Sequence, residues 1–371
     1  MEKEAYGLGI TEREFHILKD LYTYRAMTTE QIKKKYFPDT KQAVNYVLTK
    51  LRKRKMIKSS ILSGSRGKKK KGFAYHRITE IGLECLARHG LPVEEIIQNL
   101  YVKPSHLHYL LLANEVMAEL TLAGWRVCDS RRVKKEYNMD KRMNIHGLLI
   151  NPEGKRFGYY VMENNVLPQT LGKIQAEIRD NYEFIHNFII FTRGKGSYER
   201  FVDNAMNPPD KREGKRIITQ KPIYTGYDLK VISLKLGLDL YSKYPTKDKW
   251  IQALAQHIGF QVISEISDSG DNGIEGTGRD GTVKQHSRQS FPTIIQHNGE
   301  EKYFVDLTDT DLTLVSKLNS YNEHNFRMEN KRRVLITIYN DVQEQFLDSS
   351  NRNLEIARLK GNDFNLLLGG Y

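Results

Sequence analysis

Apolar side chains recur at helical spacing three times near the start of the chain, and each run opens on a residue able to cap a helix. Thr11 stands three residues before Glu14, the spacing at which a hydroxyl and a carboxylate satisfy each other's backbone amides. A helix is predicted from there, with Phe15, Leu18, Leu21 and Tyr22 on one face. Thr28 and Gln31 repeat the signal and open a second helix with Ile32 and Tyr36 inward. Phe37-Pro38-Asp39 is a turn, because the residue before a proline is pushed out of helical backbone. Thr40 begins a third helix with an apolar stripe of Val44, Val47, Leu48 and Leu51. Two strand-like runs follow, Ile57–Leu62 and Phe73–Ile78, joined by the basic stretch Gly64-Ser65-Arg66-Gly67-Lys68-Lys69-Lys70-Lys71-Gly72. Thr79 then opens a fourth helix, Leu91-Pro92-Val93 breaks it, and a short helix runs to about Leu100.

Three helices followed by a basic hairpin is the outline of a winged helix-turn-helix. Its third helix presents Lys41, Gln42, Asn45, Tyr46, Thr49, Lys50 and Lys53 on the face opposite the apolar stripe. Asn and Gln bond adenine edges in pairs, and Lys reaches guanine or phosphate, so this helix is the one expected in a major groove. Arg66, Lys68, Lys69, Lys70 and Lys71 at the hairpin tip are expected along the phosphates or in a minor groove.

From residue 104 onward one pattern occurs twice. A helix (about 105–122, and again about 246–257) leads through glycine and an aromatic residue into a strand, as Gly124-Trp125 and Gly259-Phe260. Two strands around a turn come next: 145–150 and 157–162 in the first copy, 292–296 and 302–306 in the second. A helix carrying Leu171, Lys173 and Ile174, or Val315, Lys317 and Leu318, precedes a closing apolar strand at 188–191 or 334–338. Strands alternating with helices imply an α/β sheet with a parallel pair, and repetition at this length implies duplicated domains. The Gly/Ser/Asp-rich stretch between Ser264 and Ser290 reads as a mobile loop inserted in the second copy.

Charge sharpens this division. Residues 1–103 hold 22 Lys+Arg and 11 Asp+Glu, a net of +11 within a chain whose total is +13. Basic character is therefore concentrated on the helical module, which points to a polyanionic partner. No apolar run reaches the roughly 20 residues of a membrane span. The start Met1-Glu2-Lys3-Glu4 is polar and unlike a signal peptide, so a cytoplasmic protein without membrane attachment is expected. The two cysteines, Cys85 and Cys128, have neither CxxC spacing nor a pairing logic, which argues against a zinc module.

The helix, strand, hairpin, helix, strand order is the core of the restriction-endonuclease-like fold. Active members place an Asp at the start of the second strand and an acid plus Lys on the third, where the carboxylates hold a divalent cation. The corresponding places here are Ile145-His146 with Met162 and Asn164, and Pro292-Thr293 with Asp306 and Thr308. Glu163 and Asp306 stand alone, and Lys173 and Lys317 lie on the following helices. His106-Leu107-His108 before Tyr109 has the letters of a metal-holding pair beside a tyrosine nucleophile. On a helix, however, residues i and i+2 diverge by about 200°. No catalytic residue, metal site or cofactor is expected.

The motif Thr28-Thr29-Glu30-Gln31-Ile32, the basic third helix and wing, the helix from Ser105-His106-Leu107-His108-Tyr109-Leu110 and the strand hairpin 145–163 together resemble the replication-relaxation family. That family includes MobC-type proteins of plasmids and conjugative elements in Gram-positive bacteria. The resemblance extends over about residues 8–195. It implies a plasmid, phage or integrative-element protein that recognises an origin or operator. The acids usual in the family's strand hairpin appear here as His146, Met162 and Asn164.

The expected organisation is an α+β protein with four parts. Residues 1–103 form a winged helix-turn-helix with connector helices, 104–206 a first degenerate nuclease-like domain, 207–245 a linker or edge segment, and 246–371 a second such domain. The expected function is non-catalytic, sequence-specific binding of double-stranded DNA in replication, mobilisation or transcriptional control, with a homodimer as the assembly. Two other readings are a metal-dependent nuclease or relaxase-like nicking enzyme, and an adaptor that recruits a relaxase or replication protein.

Overall fold

A computed structural model describes residues 9–40, 43–62, 72–164, 166–213, 216–219, 222–223, 227–265 and 289–369. The chain divides into two compact units, Met1–Glu177 and Ile178–Tyr371. Both mix helices with sheets, as the α+β expectation has it.

In the first unit, α1 (Glu12–Tyr24) starts on the expected capping box. The Glu14 amide donates to Thr11 Oγ1 at 3.2 Å, and the Thr11 amide donates to Glu14 Oε2 at 2.9 Å. Its buried apolar face is Ile17, Leu18, Leu21 and Tyr24; Phe15 and Tyr22, expected inward, are only half-buried. The reason is local. The Tyr22 hydroxyl accepts the amides of Glu94 and Glu95, which keeps that ring at the periphery, and Phe15 lies against His89 with ring centroids 5.5 Å apart. After β1 (Met27–Thr28), α2 (Thr29–Tyr36) opens on the second capping box, Thr28 with Gln31. Ile32 is fully buried, whereas Tyr36 is half-buried and donates its hydroxyl to Asp20 at 2.6 Å.

The third helix, α3, is described over Ala43–Lys53 and buries Val44, Leu48 and Leu51, with Val47 half-buried. Strands β2 (Ile57–Leu62) and β3 (Phe73–Ile78) fall where the sequence puts them. They pair antiparallel from Ile57↔Ile78 to Leu62↔Phe73, and β1 adds to β3, giving the order β1-β3-β2. Gly72 is required at the base of this hairpin, since a Cβ there would meet the Leu62 carbonyl oxygen at 2.6 Å. Helix α4 (Glu80–Arg88) is capped by Thr79 as expected, and α5 (Ile97–Leu100) is short.

Helix α6 (Pro104–Leu122) is apolar around most of its circumference, the mark of a core helix. Its Leu107 and Leu111 form one core cluster with Ala26, Tyr75 and Val102. Two buried amides reinforce that packing. Gln31 Nε2 donates to the Leu111 carbonyl at 2.6 Å, and Asn114 Nδ2 donates to the carbonyls of Tyr24 and Ala26 at 3.0 and 2.6 Å. Then come β4 (Arg126–Asp129), α7 (Ser130–Glu136) capped by Asp129, β5 (Gly147–Ile150) and β6 (Arg156–Met162). The three strands form an antiparallel meander. Gly147 sits where a Cβ would meet the Cys128 carbonyl oxygen at 2.3 Å. Helix α8 (Pro168–Asn181) buries Leu171 and Ile174 and leaves Lys173 exposed.

In the second unit, β7 (Asn187–Thr192) is followed by α9 (Lys195–Met206) and a small antiparallel hairpin, β8 (Lys211–Glu213) with β9 (Arg216–Ile218). Next come β10 (Leu229–Ser233) and α10 (Leu234–Lys243), within the stretch expected to be a linker or edge segment. Strand β10 is the parallel partner of β7, from Leu229↔Phe188 to Ser233↔Thr192, with Leu229, Val231 and Ile232 fully buried. Residues 229–243 are thus core elements and not a linker. Lys230 and Ser233 interrupt its five residues, which leaves too short an apolar run to stand out in the sequence.

Helix α11 (Lys247–Ile258) ends on the left-handed Gly259 (φ 86°) and leads into β11 (Gln261–Glu265). The expected mobile insertion lies outside the described residues over 266–288. The rest is β12 (Thr293–His297), β13 (Glu300–Asp306), α12 (Leu312–Ser320), α13 (Glu323–Met328), β14 (Val334–Ile338), α14 (Asp341–Gln345), β15 (Leu354–Arg358) and α15 (Gly361–Leu368). Strands β11 to β15 lie in sequence order; the first two pairings are antiparallel and the last two parallel. Phe291, Tyr303, Tyr321, Val305 and Ile336 fill the core beneath them.

Candidate nucleic-acid interface

The polar face of α3 follows from the burial of the opposite one. With Val44, Leu48 and Leu51 turned into the core, Asn45 and Tyr46 project outward one turn before Thr49 and two turns before Lys53. Asn45 and Lys53 are exposed, and Tyr46 is 74% exposed, large for an aromatic ring. Thr49 is half-buried and accepts a hydrogen bond from Arg52 Nη2 at 2.8 Å.

Lys50 is placed differently. Its ammonium lies 2.9 Å from Oε1 of Glu14, a carboxylate only 2% exposed. The same Glu14 holds the Thr11 amide, so one side chain caps α1 and tethers α3. The sequence pairs Glu14 with Thr11 but gives no sign of Lys50, 36 positions away. Lys41 and Gln42, and Arg66 with Lys68 to Lys71 at the hairpin tip, lie outside the described residues. The strands that carry the tip expose Lys58, Ile61 (75%) and Phe73 (39%).

Behind this face the module is braced by His76, which is 3% exposed. Its Nε2 lies 2.9 Å from Thr29 Oγ1 and its Nδ1 lies 2.7 Å from Ser59 Oγ, so the ring joins α2, β2 and β3. Burial, helped by the charge of Arg52, pushes its pKa down to about 4. A neutral ring bonds both hydroxyls, one as donor and one as acceptor.

The places read for nuclease acids hold different chemistry. His146 stands at the start of the second strand of the first unit's meander. Its Nδ1 accepts the Val161 amide at 3.2 Å, and burial first, then Lys134 and Arg25, lower its pKa to about 4. Met162 is buried, Asn164 is exposed, and Glu163 meets Nε2 of His108. His106 and His108 sit on α6, so they do not share a face. In the second unit Thr293 is buried. Asp306 is enclosed by donors: Trp250 Nε1 at 2.8 Å, Thr308 Oγ1 and Thr337 Oγ1 each at 2.6 Å, and the Thr308 amide at 3.0 Å. Burial raises its pKa, with Asp309 adding to the shift. Lys317, like Lys173, is exposed. Among the described residues no three His, Cys, Asp or Glu side chains gather as a metal site would require, and no helix is long and apolar enough to cross a membrane.

Fold and surface together define a mixed α+β protein whose first unit carries a helical module with a polar, partly cationic helix face. The replication-relaxation family model matches residues 18–150, from within α1 to the end of β5. The match spans 133 of the 371 residues and lies within the first unit, so the chain is similar to that family over residues 18–150. No curated protein and no solved structure matches the chain.

Proposed function

We propose that the chain is a sequence-specific, non-catalytic DNA-binding protein of a mobile genetic element, acting in replication or mobilisation and related to the MobC-type proteins. The observation that carries this reading is the outer face of α3. Asn45, Tyr46 and Lys53 are exposed on a helix whose other side is locked into the core, in the part of the chain that holds nearly all its net charge. The order α1, β1, α2, α3 and an antiparallel hairpin is that of a winged helix-turn-helix, with α3 in the position of the helix that enters the major groove. In this reading Asn45 contacts a base edge, Lys53 a phosphate, and the hairpin tip the neighbouring backbone.

The remainder supports a scaffold built from two degenerate nuclease-like copies. The run α6, β4, β5, β6 and the run α11, β11, β12, β13 share order and antiparallel pairing, and each is followed by a parallel strand pair, β7 with β10 or β14 with β15. His146 and the hydrogen-bonded Asp306 replace the paired carboxylates that a metal-dependent cut needs. A homodimer on a two-fold symmetric site, with a relaxase or replication protein as further partner, completes the proposal.

The deciding experiment is a mobility-shift series on DNA recovered with the protein. Asn45→Ala is expected to relax base preference at one position, by about 1–3 kcal/mol of discrimination. Lys53→Ala is expected to weaken all sequences alike and to lower the salt slope by about one. Equal binding of every duplex by both variants and the parent would remove the reading. Nicking of supercoiled DNA with magnesium or manganese, lost in Asp306→Ala, would replace it with the enzyme reading.

A further inference from the structure

The first unit holds a second concentration of positive charge, away from α3 in the chain, formed by Arg25 after α1 and by Arg131 and Lys134 on α7. Arg25 has left-handed backbone (φ 64°), an uncommon conformation for a side chain with a Cβ. Its guanidinium is largely withdrawn from solvent and makes no hydrogen bond or ion pair to any described residue.

Arg131 is nearly full. Its Nε donates to Asp129 Oδ1 at 3.3 Å and its Nη2 to the carbonyls of Tyr22 and Thr23 at 3.4 and 3.1 Å. Its Nη1 is buried without an acceptor. Lys134 donates to the carbonyls of Met143 and Lys141, which fixes the ammonium without neutralising it. Arg25 is close enough to Arg131 to lose proton affinity to it, after burial, and it acts in the same sense on Lys134. Three carboxylates face the group. Asp129 caps α7, Glu177 is taken up by the Asn144 amide and side chain and by the Tyr160 hydroxyl, and the exposed Asp140, which acts on Lys134, accepts the Arg142 amide at 2.8 Å. His146, also within reach, is neutral. Three cations among three carboxylates that are each already engaged leave a half-buried recess with unfilled guanidinium donors. Such a combination is costly unless an anion completes it.

We infer that Arg25, Arg131 and Lys134 form a phosphoryl-binding site. The planar forks of two arginines match the tetrahedral oxygens of a phosphate better than the two oxygens of one carboxylate, and Lys134 adds a point charge. The occupant is a phosphate of a nucleic-acid backbone or a free phosphorylated small molecule. The inference stands on these residues and not on α3, so it survives if the DNA reading of α3 fails.

Arg25→Gln is the variant of choice, because Arg25 supports no hydrogen bond of the fold. Without ligand, the full-length variant is expected to unfold at or above the parent's midpoint, since a repelling charge has gone; a merely structural role would lower it. Inorganic phosphate and pyrophosphate are titrated against chloride at matched ionic strength. They are expected to raise the parent's midpoint and to leave that of Arg25→Gln unchanged. A parallel measurement of duplex binding against salt separates the sources. Loss of about one from the slope in Arg25→Gln identifies a backbone phosphate as the occupant. An unchanged slope with loss of the phosphate response identifies a small molecule. If the parent gains nothing from either anion over chloride and the slope is also unchanged, there is no such site.

Discussion

Asn114, in the middle of α6, donates its side-chain amide to the main-chain carbonyl of Ala26 at 2.6 Å in an interior closed to solvent. The same nitrogen bonds the carbonyl of Tyr24. Past the end of α1 the Ala26 carbonyl has no helical partner, and Asn114 reaches across 88 positions of sequence to supply one; the Tyr24 carbonyl also accepts the Ala26 amide at 2.8 Å.

Replacing Asn114 by Leu therefore removes a buried donor from the Ala26 carbonyl, while that of Tyr24 keeps the Ala26 amide. A loss of about 1–3 kcal/mol is expected, from the cost of an unmet buried polar group. Urea unfolding with an unchanged slope and a lower midpoint would bear this out; an unaltered midpoint would show that the two bonds contribute nothing net.

Glu14 supports a prediction that separates charge from capping. Glu14→Gln keeps an oxygen for the Thr11 amide but cancels the ion pair that holds Lys50. Stability is expected to fall by roughly 1 kcal/mol, the scale of one charged hydrogen bond less what the amide retains. Lys50 is released on the outer side of α3, so non-specific duplex binding should tighten and its salt slope steepen by about one. Tightening absent from a Glu14→Gln, Lys50→Ala double variant would trace the effect to that lysine.

Two buried histidines set an acid limit on the fold. His76 and His146 have folded pKa values near 4 against an ordinary 6.5. The unfolded chain thus takes up protons first as the pH falls. The stability tied to each neutral ring is complete above about pH 6.5 and is lost between there and pH 4, up to roughly 3 kcal/mol per ring. In His76→Asn the fall of unfolding free energy across that window should be visibly shallower. A parallel curve for parent and variant would mean that the ring titrates normally in the folded protein.

Asp306 is expected to act as a structural carboxylate. Asp306→Ala strands the donors of Trp250, Thr308 and Thr337 and opens a small void, at a cost of about 2–4 kcal/mol. Calorimetry should show this loss to be the same with and without magnesium. A stabilisation of the parent by magnesium that Asp306→Ala lacks would instead make the residue a metal ligand.

Local chemistry was legible in the sequence and distant pairing was not. Thr11 with Glu14 and Thr28 with Gln31 mark helix starts by spacing alone, and alternation with flanking glycines marks β2 and β3. The buried face of α1 keeps the expected Leu18 and Leu21 but takes Ile17 and Tyr24 in place of Phe15 and Tyr22. Phe15 and Tyr22 are as apolar as Ile17 and Tyr24, and only the later segment at Glu94 and Glu95 draws Tyr22 outward. Strand β10 escaped because its partner β7 lies some 40 positions earlier and its own run is five residues long. On α3 the stripe picked out Val44, Leu48 and Leu51 as inner positions, yet nothing in it told Lys50, engaged by Glu14, from Lys53. The cluster of Arg25, Arg131 and Lys134 was out of reach altogether, since it depends on the end of α1 meeting α7.

The shared core of α6 with Ala26, Tyr75 and Val102 bears on how the protein is taken apart at the bench. The chain invites a cut after Lys103, where the basic segment ends. A fragment stopped there would keep only Leu62 packed against Ala26, Tyr75 and Val102, because Leu107, Leu110 and Leu111 go with the discarded piece. Such a fragment would associate with itself through that uncovered strip. A dimer observed with it would report on the position of the cut, so self-association has to be measured on a chain that retains α6.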